Sequence, residues 1–543
     1  MIQATQSQGR IWIRSEFELK DAIKALPGAT WGKAERRWHI PATPNAAGAL
    51  RALAHVSGGV EADEGVRSLF DMHATATQAQ EFKTCVIELV PTVATKTEQW
   101  DHQKRGTAFA LSMVSTLLAW GMGAGKTKTT IDIMNGAGAD LALVLCPKAV
   151  IDVWPTELDK HSVRPFDVLT LTKGTTAKKA ADLAHFVRHA QPGVLRVVVV
   201  NYESAWRDAL AKEILKQAWD FLVLDEIHRI KSPGGKSSKF CARLRPKAKR
   251  VLGLSGTVMP HSPADLYGSF RALDPGIFGT SFTKFRARYC VMGGFNAKQI
   301  VEFQNLDELS QRMGLISYEV SRDLLDLPPE TDADRFVELS TEELKFYNEI
   351  KKNLCAELDA GEVTAKNALV KLLKLQQATG GFAVTDDGKI VEIGKSRRAA
   401  LADALQDLAP GEPVVVFCKF RQDLDSVHAV AAELKRGSLE LSGRVNQLKE
   451  WQASDDAPPI LVTQIQAGGI GVDLTRAAVA VYYSVGYSLG DVLQARARIH
   501  RPGQARNVVN IHLIARGTVD VAIRRALEKK EDLINSVLES IRK

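Results

Sequence analysis

Residues 118–130, Leu-Ala-Trp-Gly-Met-Gly-Ala-Gly-Lys-Thr-Lys-Thr-Thr, constrain this chain more than any other stretch. Gly121, Gly123 and Gly125 alternate, Lys126 and Thr127 follow, and an apolar helical run begins at Ile131. Glycine at alternate positions lets successive backbone N–H groups turn inward around a polyphosphate. Lys126 then sets a point charge on the outer phosphates, and Thr127 offers a hydroxyl to Mg²⁺. The helix that follows adds the positive end of its dipole. The strict phosphate-loop spacing asks for glycine five residues before Gly125, where Trp120 stands, so the match is to the shorter Gly-x-Gly-Lys-Thr form. Taken alone, these residues also fit a glycine-rich turn entering a helix.

A chain of 543 residues has room for about three domains. Its net charge of +8 suits a polyanionic partner without requiring one. The six cysteines are scattered and include no Cys-x-x-Cys, which argues against a zinc site or disulfide framework and for a reducing cytosol. No apolar run approaches a membrane span, and the opening residues lack a signal-peptide core. A cytoplasmic protein without membrane partners is the expectation.

From residue 141 short apolar runs alternate with helical ones: 141–145, 168–171, 197–200, 221–224 and 251–254. Parallel strands covered on both faces look like this. Four of them end in polar groups: Cys146-Pro-Lys148, Asn201-Tyr-Glu203, Asp225-Glu-Ile-His228 and Ser255-Gly-Thr257. Ligands of open α/β sheets bind at the carboxyl ends of strands, so these groups and the glycine loop should converge. Asp225 could hold Mg²⁺ through water, and Glu226 could polarise an attacking water. His228 could pass the state of the γ-phosphate to Ser255 and Thr257. Gln103, just upstream of the loop, could read adenine with both ends of its amide. Residues 229–250 carry nine Lys or Arg and no acid, which reads either as a solvated face or as a contact to a phosphate backbone.

A second α/β unit has candidate strands at 414–417, 439–441, 460–463, 478–482 and 508–511 but no phosphate loop, so it should complete the first site. On a helix, Gln494, Arg498 and Arg501 share one face while Arg496 points elsewhere. Two arginines on one face suit a γ-phosphate as charge develops there. At the amino terminus, residues 9–56 read as a β-α-β-β-α unit. Its Trp31 or Trp38 could stack bases and Arg36 or Arg37 could meet phosphate, or both tryptophans could be core.

Read together, residues 98–535 resemble a superfamily-two helicase of the Swi/Snf-like branch. The matching strings are Gly-Met-Gly-Ala-Gly-Lys-Thr (121–127), Leu-Cys-Pro-Lys (145–148), Asp-Glu-Ile-His-Arg-Ile-Lys (225–231) and Leu-Ser-Gly-Thr (254–257). They continue with Asp-Leu-Pro-Pro (326–329), Ala-Gly-Gly-Ile-Gly-Val-Asp-Leu-Thr (467–475) and Gln-Ala-Arg-Ala-Arg-Ile-His-Arg-Pro-Gly-Gln (494–504). The Pro-Gly…Trp…Arg-x-Trp…Pro string at 27–41 weakly resembles the HARP module of annealing helicases. Departures from the family pattern are Trp120-Gly121 in place of an acidic pair, Ile227, Val258, Tyr487 and the missing arginine pair near Ser317. They point to a compact bacterial or phage type.

The resemblance implies an α/β fold of two RecA-like parallel-sheet lobes with helical insertions, plus a small α+β amino-terminal domain. The expected division is a nucleic-acid module at 1–58, a linker at 59–95, an ATP-binding lobe at 96–315, a helical inter-lobe region at 316–395 and a second lobe at 396–543. Lys126, Asp225, Glu226, Arg498 and Arg501 are the implied catalytic groups. Gln103, Gly121, Gly123, Gly125, Thr127 and Asp473 join Lys126 and the two arginines around ATP, with Thr127 and Asp225 on Mg²⁺. His228, Ser255, Thr257 and Gln494 are the implied coupling groups. Lys148, Asn201, Arg229, Lys231, Lys236, Lys239, Thr463 and Gly469 are the implied DNA contacts. The implied activity is ATP-driven translocation by a monomer on duplex or forked DNA, with fork remodelling or strand annealing as the most specific role. A strand-separating helicase and a nucleotide-gated DNA scaffold with little turnover stay open.

Overall fold

The computed structural model describes residues 1–294, 299–321, 324–359, 365–385, 387–453, 456–466 and 472–542. They form two compact units, Met1–Arg322 with Ile534–Lys543, and Asp323–Leu533.

The first unit begins with a five-stranded sheet of β1 (Ile2–Ser7), β2 (Arg10–Arg14), β3 (Thr30–Gly32), β4 (Arg37–Pro41) and β5 (Val60–Ala62), in the order β3-β4-β2-β1-β5. Alternation along β2 sends Ile11 and Ile13 into a core with Ile2, Ala4 and Ile40. Helix α1 (Lys20–Ala25) adds Ile23 to it. Helix α2 (Pro44–Val56) starts on Thr43, whose hydroxyl accepts from Ala46 N–H at 3.3 Å, and buries Ala46, Ala47 and Leu50 in the same core. The stretch 59–95, expected as a linker, instead supplies β5, paired in parallel with β1, and α3 (Glu64–Gln78), which buries Val66, Leu69 and Phe70. Three-residue strands carry too little period to be read from sequence.

This module sits on the larger part of its unit through backbone. Asn45 Nδ2 donates to Asp274 Oδ2 at 2.8 Å. A Cβ on Gly276 would come within 2.3 Å of Thr43 Oγ1, and one on Gly279 within 3.0 Å of the Gly28 nitrogen.

Helix α4 (Asp101–Leu111) leads into a seven-stranded sheet. Its members are β6 (Ser115–Trp120), β7 (Leu141–Cys146), β8 (Phe166–Thr170), β9 (Leu195–Asn201), β10 (Trp219–Asp225), β11 (Ala248–Leu254) and, beyond a two-stranded hairpin, β12 (Ser317–Val320). All pairs are parallel, in the order β12-β6-β11-β10-β7-β9-β8. Helix α5 (Lys126–Gly136) follows β6. Residues 317–320 thus belong to the first sheet and not to a helical inter-lobe region, because β12 completes the edge beside β6.

The second unit holds a six-stranded parallel sheet of β13 (Glu330–Val337), β14 (Val414–Cys418), β15 (Ser438–Leu441), β16 (Ile460–Gln464), β17 (Val479–Tyr482) and β18 (Val508–Ala515). Its order is β13-β18-β17-β14-β16-β15. Val414, Val416, Ile460, Val462 and Val481 form the middle of its core. The edge strand β13 again comes from the segment expected to be helical. Helices Thr341–Asp359 and Ala365–Thr379 make up the insertion. The fold is two RecA-like parallel-sheet lobes with helical insertions and a small mixed α+β sheet in front. Among the described residues no helix is long and apolar enough to cross a membrane.

Candidate nucleotide site

The strand order decides where the polar strand ends go. β6, β11, β10, β7 and β9 are consecutive neighbours, so the glycine loop, Ser255-Gly-Thr257, Asp225-Glu226, Cys146-Pro-Lys148 and Asn201-Tyr-Glu203 leave the sheet along one rim. In the loop, Gly123 (φ 85°) and Gly125 (φ 78°) take left-handed backbone that side chains disfavour. Lys126 opens α5, and its ammonium donates to the carbonyls of Trp120 (3.0 Å) and Gly121 (3.1 Å). That cation holds the loop's own backbone and is available to a phosphate by exchange. Gly256 packs on the loop: a Cβ there would meet Met122 Cγ at 3.3 Å and the Trp120 carbonyl oxygen at 3.4 Å.

Asp225 ends a central strand and is nearly buried. Burial, then the Glu226 carboxylate beside it, pushes its acidity toward the neutral form, while Lys126 pulls the other way. Glu226 takes a left-handed conformation (φ 50°), which costs a non-glycine residue about 1 kcal/mol or more. It places the carboxylate 3.2 Å from His228 Nδ1. His228 Nδ1 lies 3.0 Å from Ser255 Oγ, which accepts from Thr257 N–H at 3.1 Å. These contacts join Glu226, His228, Ser255 and Thr257 in one connected line. A glycine cradle, a helix N-terminus, a lysine and two acids form a set that fits a nucleotide, and Thr127 and Asp225 are the residues that would hold its Mg²⁺.

Gln103 is buried against the loop, so close that a Cβ on Gly125 would meet its Nε2 at 2.2 Å. Its Nε2 donates to Ala124 O (3.2 Å), and its Oε1 accepts from Trp100 N–H (3.1 Å). Both ends of the amide are engaged with the chain, so reading a base requires giving up one of these bonds.

In the second unit, α6 (Leu489–Ile499) carries Gln494 and Arg498 one turn apart. Arg498 is buried to 8 % exposure. Arg501 falls outside the helix, because His500 caps it with non-helical backbone. The shared face expected for all three therefore holds only for Gln494 and Arg498. Arg501 Nη1 instead lies 3.5 Å from Val472 O. Arg496 does point elsewhere: it pairs with Asp332 on β13. The Asp473 carboxylate is exposed and accepts from Thr475 N–H (2.9 Å) and its hydroxyl (2.7 Å). Thr463 is fully buried, its hydroxyl donating to Leu441 O at 2.9 Å, so it ties two strands together and does not face solvent. Gly469 lies outside the described residues.

The basic run 229–250 divides. Arg250 donates to three carbonyls at the end of α4, of Ala110, Leu111 and Met113, and Arg245 donates to Leu273 O (2.7 Å). Lys249 pairs with Asp220 (2.8 Å) and Arg229 with Glu203 (3.3 Å). Asn201 Nδ2 also donates to Glu203, at 2.9 Å. Lys236 and Lys239 stay exposed on the helix Lys236–Leu244, Lys148 is exposed on its own rim, and Lys231 is half-buried. Part of the run is internal scaffolding, and the rest can face a polyanion.

Two domain families match this architecture: the SNF2-related domain over residues 69–380, more than half of the chain, and the helicase conserved C-terminal domain over 396–503. The chain belongs to the SNF2-related family. It is 26 % identical over 449 residues to the SWI/SNF-related matrix-associated actin-dependent regulator of chromatin subfamily A-like protein 1 homolog of Caenorhabditis elegans, covering 80 % of this chain and 61 % of that protein. It is 26 % identical over 465 residues to the putative ATP-dependent helicase/translocase YwqA of Bacillus subtilis, covering 81 % and 48 %. It is 27 % identical over 471 residues to the mouse DNA annealing helicase and endonuclease ZRANB3, covering 82 % and 41 %. The chain spans about half the length of these relatives. The Sulfolobus solfataricus SWI2/SNF2 ATPase core, solved with double-stranded DNA, pairs 95 % of its length with 83 % of this chain at 23 % identity, but its TM-score of 0.39 is too low to carry an argument.

Trp120 occupies the position where this family usually has an acid. Here it is fully buried, edge-on to His102 (5.1 Å) and Tyr318 (5.9 Å). A Cβ on Gly106 would strike its indole at 2.3 Å. His102 in turn lies 2.9 Å from Ala124 O in the loop. An aromatic wedge thus supports the phosphate loop from below. Gly106 and His102 belong to the site's support, and no motif in the sequence marks them.

Proposed function

We propose that this protein is a DNA-dependent ATPase that moves on duplex or forked DNA as it hydrolyses ATP. One observation carries the reading: Lys126, Asp225, Glu226 and the His228–Ser255–Thr257 line share one sheet rim, in a chain of the SNF2-related family. Gly123, Gly125 and Lys126 hold the triphosphate, and Gln103 sets the loop beside the base. Thr127 and Asp225 would hold Mg²⁺, which would supply positive charge to the phosphates. Glu226 orients the attacking water, and Arg498 and Arg501 complete the charge stabilisation at the γ-phosphate. His228, Ser255, Thr257 and Gln494 then report the nucleotide state to the DNA-contacting surface. Exposed Lys148, Lys236 and Lys239, with Arg229, Lys231 and Asn201, supply backbone contacts, and the amino-terminal module makes a separate contact to nucleic acid. Fork remodelling or strand annealing is the specific role this combination favours.

Steady-state ATPase measured without nucleic acid and with single-stranded, duplex, forked and RNA effectors tests the proposal. Stimulation by duplex or fork supports a translocase. A flat response across all effectors would overturn it in favour of a scaffold. Displacement of a labelled strand from a fork would replace translocation with strand separation.

A further inference from the structure

We propose that the amino-terminal module carries a cleft for single-stranded nucleic acid, in which Phe17 and Trp31 stack bases while Arg14, Lys20 and Arg36 hold phosphates. The proposal deepens the reading that this chain acts on nucleic acid, but it does not require a working motor.

The cleft is a cavity of about 530 Å³ beside β2, β3 and β4. Phe17 is 78 % exposed and Trp31 47 %. Large aromatic groups left this open are unusual when a core lies adjacent. The module shows the contrast itself. Trp12 is only 8 % exposed, with the Arg10 and Arg37 guanidinium carbons 5.7 and 5.8 Å from its ring centroid, so it is packing. Trp38 leans on the module core and meets Trp31 edge-on at 5.5 Å. That contact fixes the Trp31 ring while leaving its surface open.

Charge selects the occupant. Among the described residues none of the four lining cations, Arg14, Lys20, Arg36 and Arg37, has a carboxylate partner, and the Lys20 ammonium sits 5.2 Å from the Phe17 ring centroid. Glu16 is the one acid in the lining, against these four cations. Cations interleaved with open aromatic rings match a strand whose bases are unstacked, since any base can lie on a ring while its phosphate meets a cation. A duplex offers no such free base faces. Across the Trp31–Trp38 pair a second cavity of about 820 Å³ opens toward residues 278–289 and adds Lys24 and Lys284. There Glu308 is held by Arg288 (2.5 Å) and Arg312 (2.8 Å), and Asp21 is the other acid against Lys24 and Lys284, so the exit keeps an excess of positive charge.

The test titrates the full chain, without nucleotide, into labelled oligo(dT) and oligo(U) at two salt concentrations. The proteins are wild type, Phe17→Ala, Trp31→Ala and Lys20→Glu with Arg36→Glu. Each aromatic variant should weaken binding by roughly fivefold or more, and the charge variant should also flatten the salt dependence. The preferred oligonucleotide identifies the strand as DNA or RNA. Unchanged affinity in both aromatic variants would overturn the cleft, as would competition by polyglutamate equal to that by the oligonucleotides. Phe17 is so exposed that its loss leaves the fold intact, which an unchanged thermal midpoint of the Phe17→Ala variant checks. If no protein shows DNA-stimulated ATPase while the variants still lose oligonucleotide, the motor reading fails and the cleft stands.

Discussion

Asp225 and Asp332 both lie on strands of parallel sheets, and burial opposes ionisation of each, yet their acidities move in opposite directions. Beside Asp225 stands a second carboxylate, Glu226, and the nearby Lys126 only partly compensates, so its carboxyl is pushed up. Around Asp332 the hydrogen bond from His512 and the charge of Arg496 outweigh burial, with Arg524 at 3.6 Å, and hold it well below the usual carboxylate range. An acid left short of positive charge is ready to take a cation from outside, whereas one ringed by cations is already used. The first sheet therefore presents chemistry at its rim. The second spends its charges on clamping β13 and β18 to α6, the helix that carries Arg498.

The largest effect expected is from Arg498→Ala. Turnover should fall on the order of 10³–10⁵ with little change in nucleotide affinity, read by single-turnover hydrolysis beside equilibrium binding. An unchanged rate would reduce the second sheet to a clamp. Glu226→Gln should bind ATP and stall, losing roughly 10²–10⁴ in rate, and normal steady-state hydrolysis would remove its role as base. Lys126→Ala should lose about 10²–10³ in turnover, and retained hydrolysis would contradict the phosphate-loop assignment. The smallest effect is on stability. Because folding lowers the pKa of Asp332, its contribution is fully present above about pH 4 and drains away as pH falls further. Asp332→Asn should lower the thermal midpoint at neutral pH and make it less sensitive to acid. An acid response identical to wild type would remove this half of the contrast.

The apolar runs of both sheets were legible because strands covered on two faces are continuous in Val, Ile and Leu, as at 197–200 and 414–417. The phosphate loop and Asp225-Glu226 were legible because their chemistry is local in sequence. The reach of Arg501 was not, since a helix read by spacing gives no sign of where it stops, and His500 ends this one. Nor was the fate of Arg245 and Arg250, which look like their exposed neighbours until the carbonyls they cap are known. β1 escaped because Ile2-Gln-Ala-Thr-Gln-Ser offers only two apolar positions, and its partner β5 is three residues long. Trp31 and Trp38 stand seven residues apart, and only the sheet separates the open ring from the one that leans on the core.

The seam between the amino-terminal module and the rest of its unit includes Gly28, Gly276 and Gly279, where backbone meets backbone or a buried hydroxyl, beside the Asn45–Asp274 hydrogen bond. A joint of that kind tolerates almost no substitution yet asks nothing of the residues around Phe17 and Trp31. The module's outer surface can therefore change by ordinary point mutation while its attachment stays fixed.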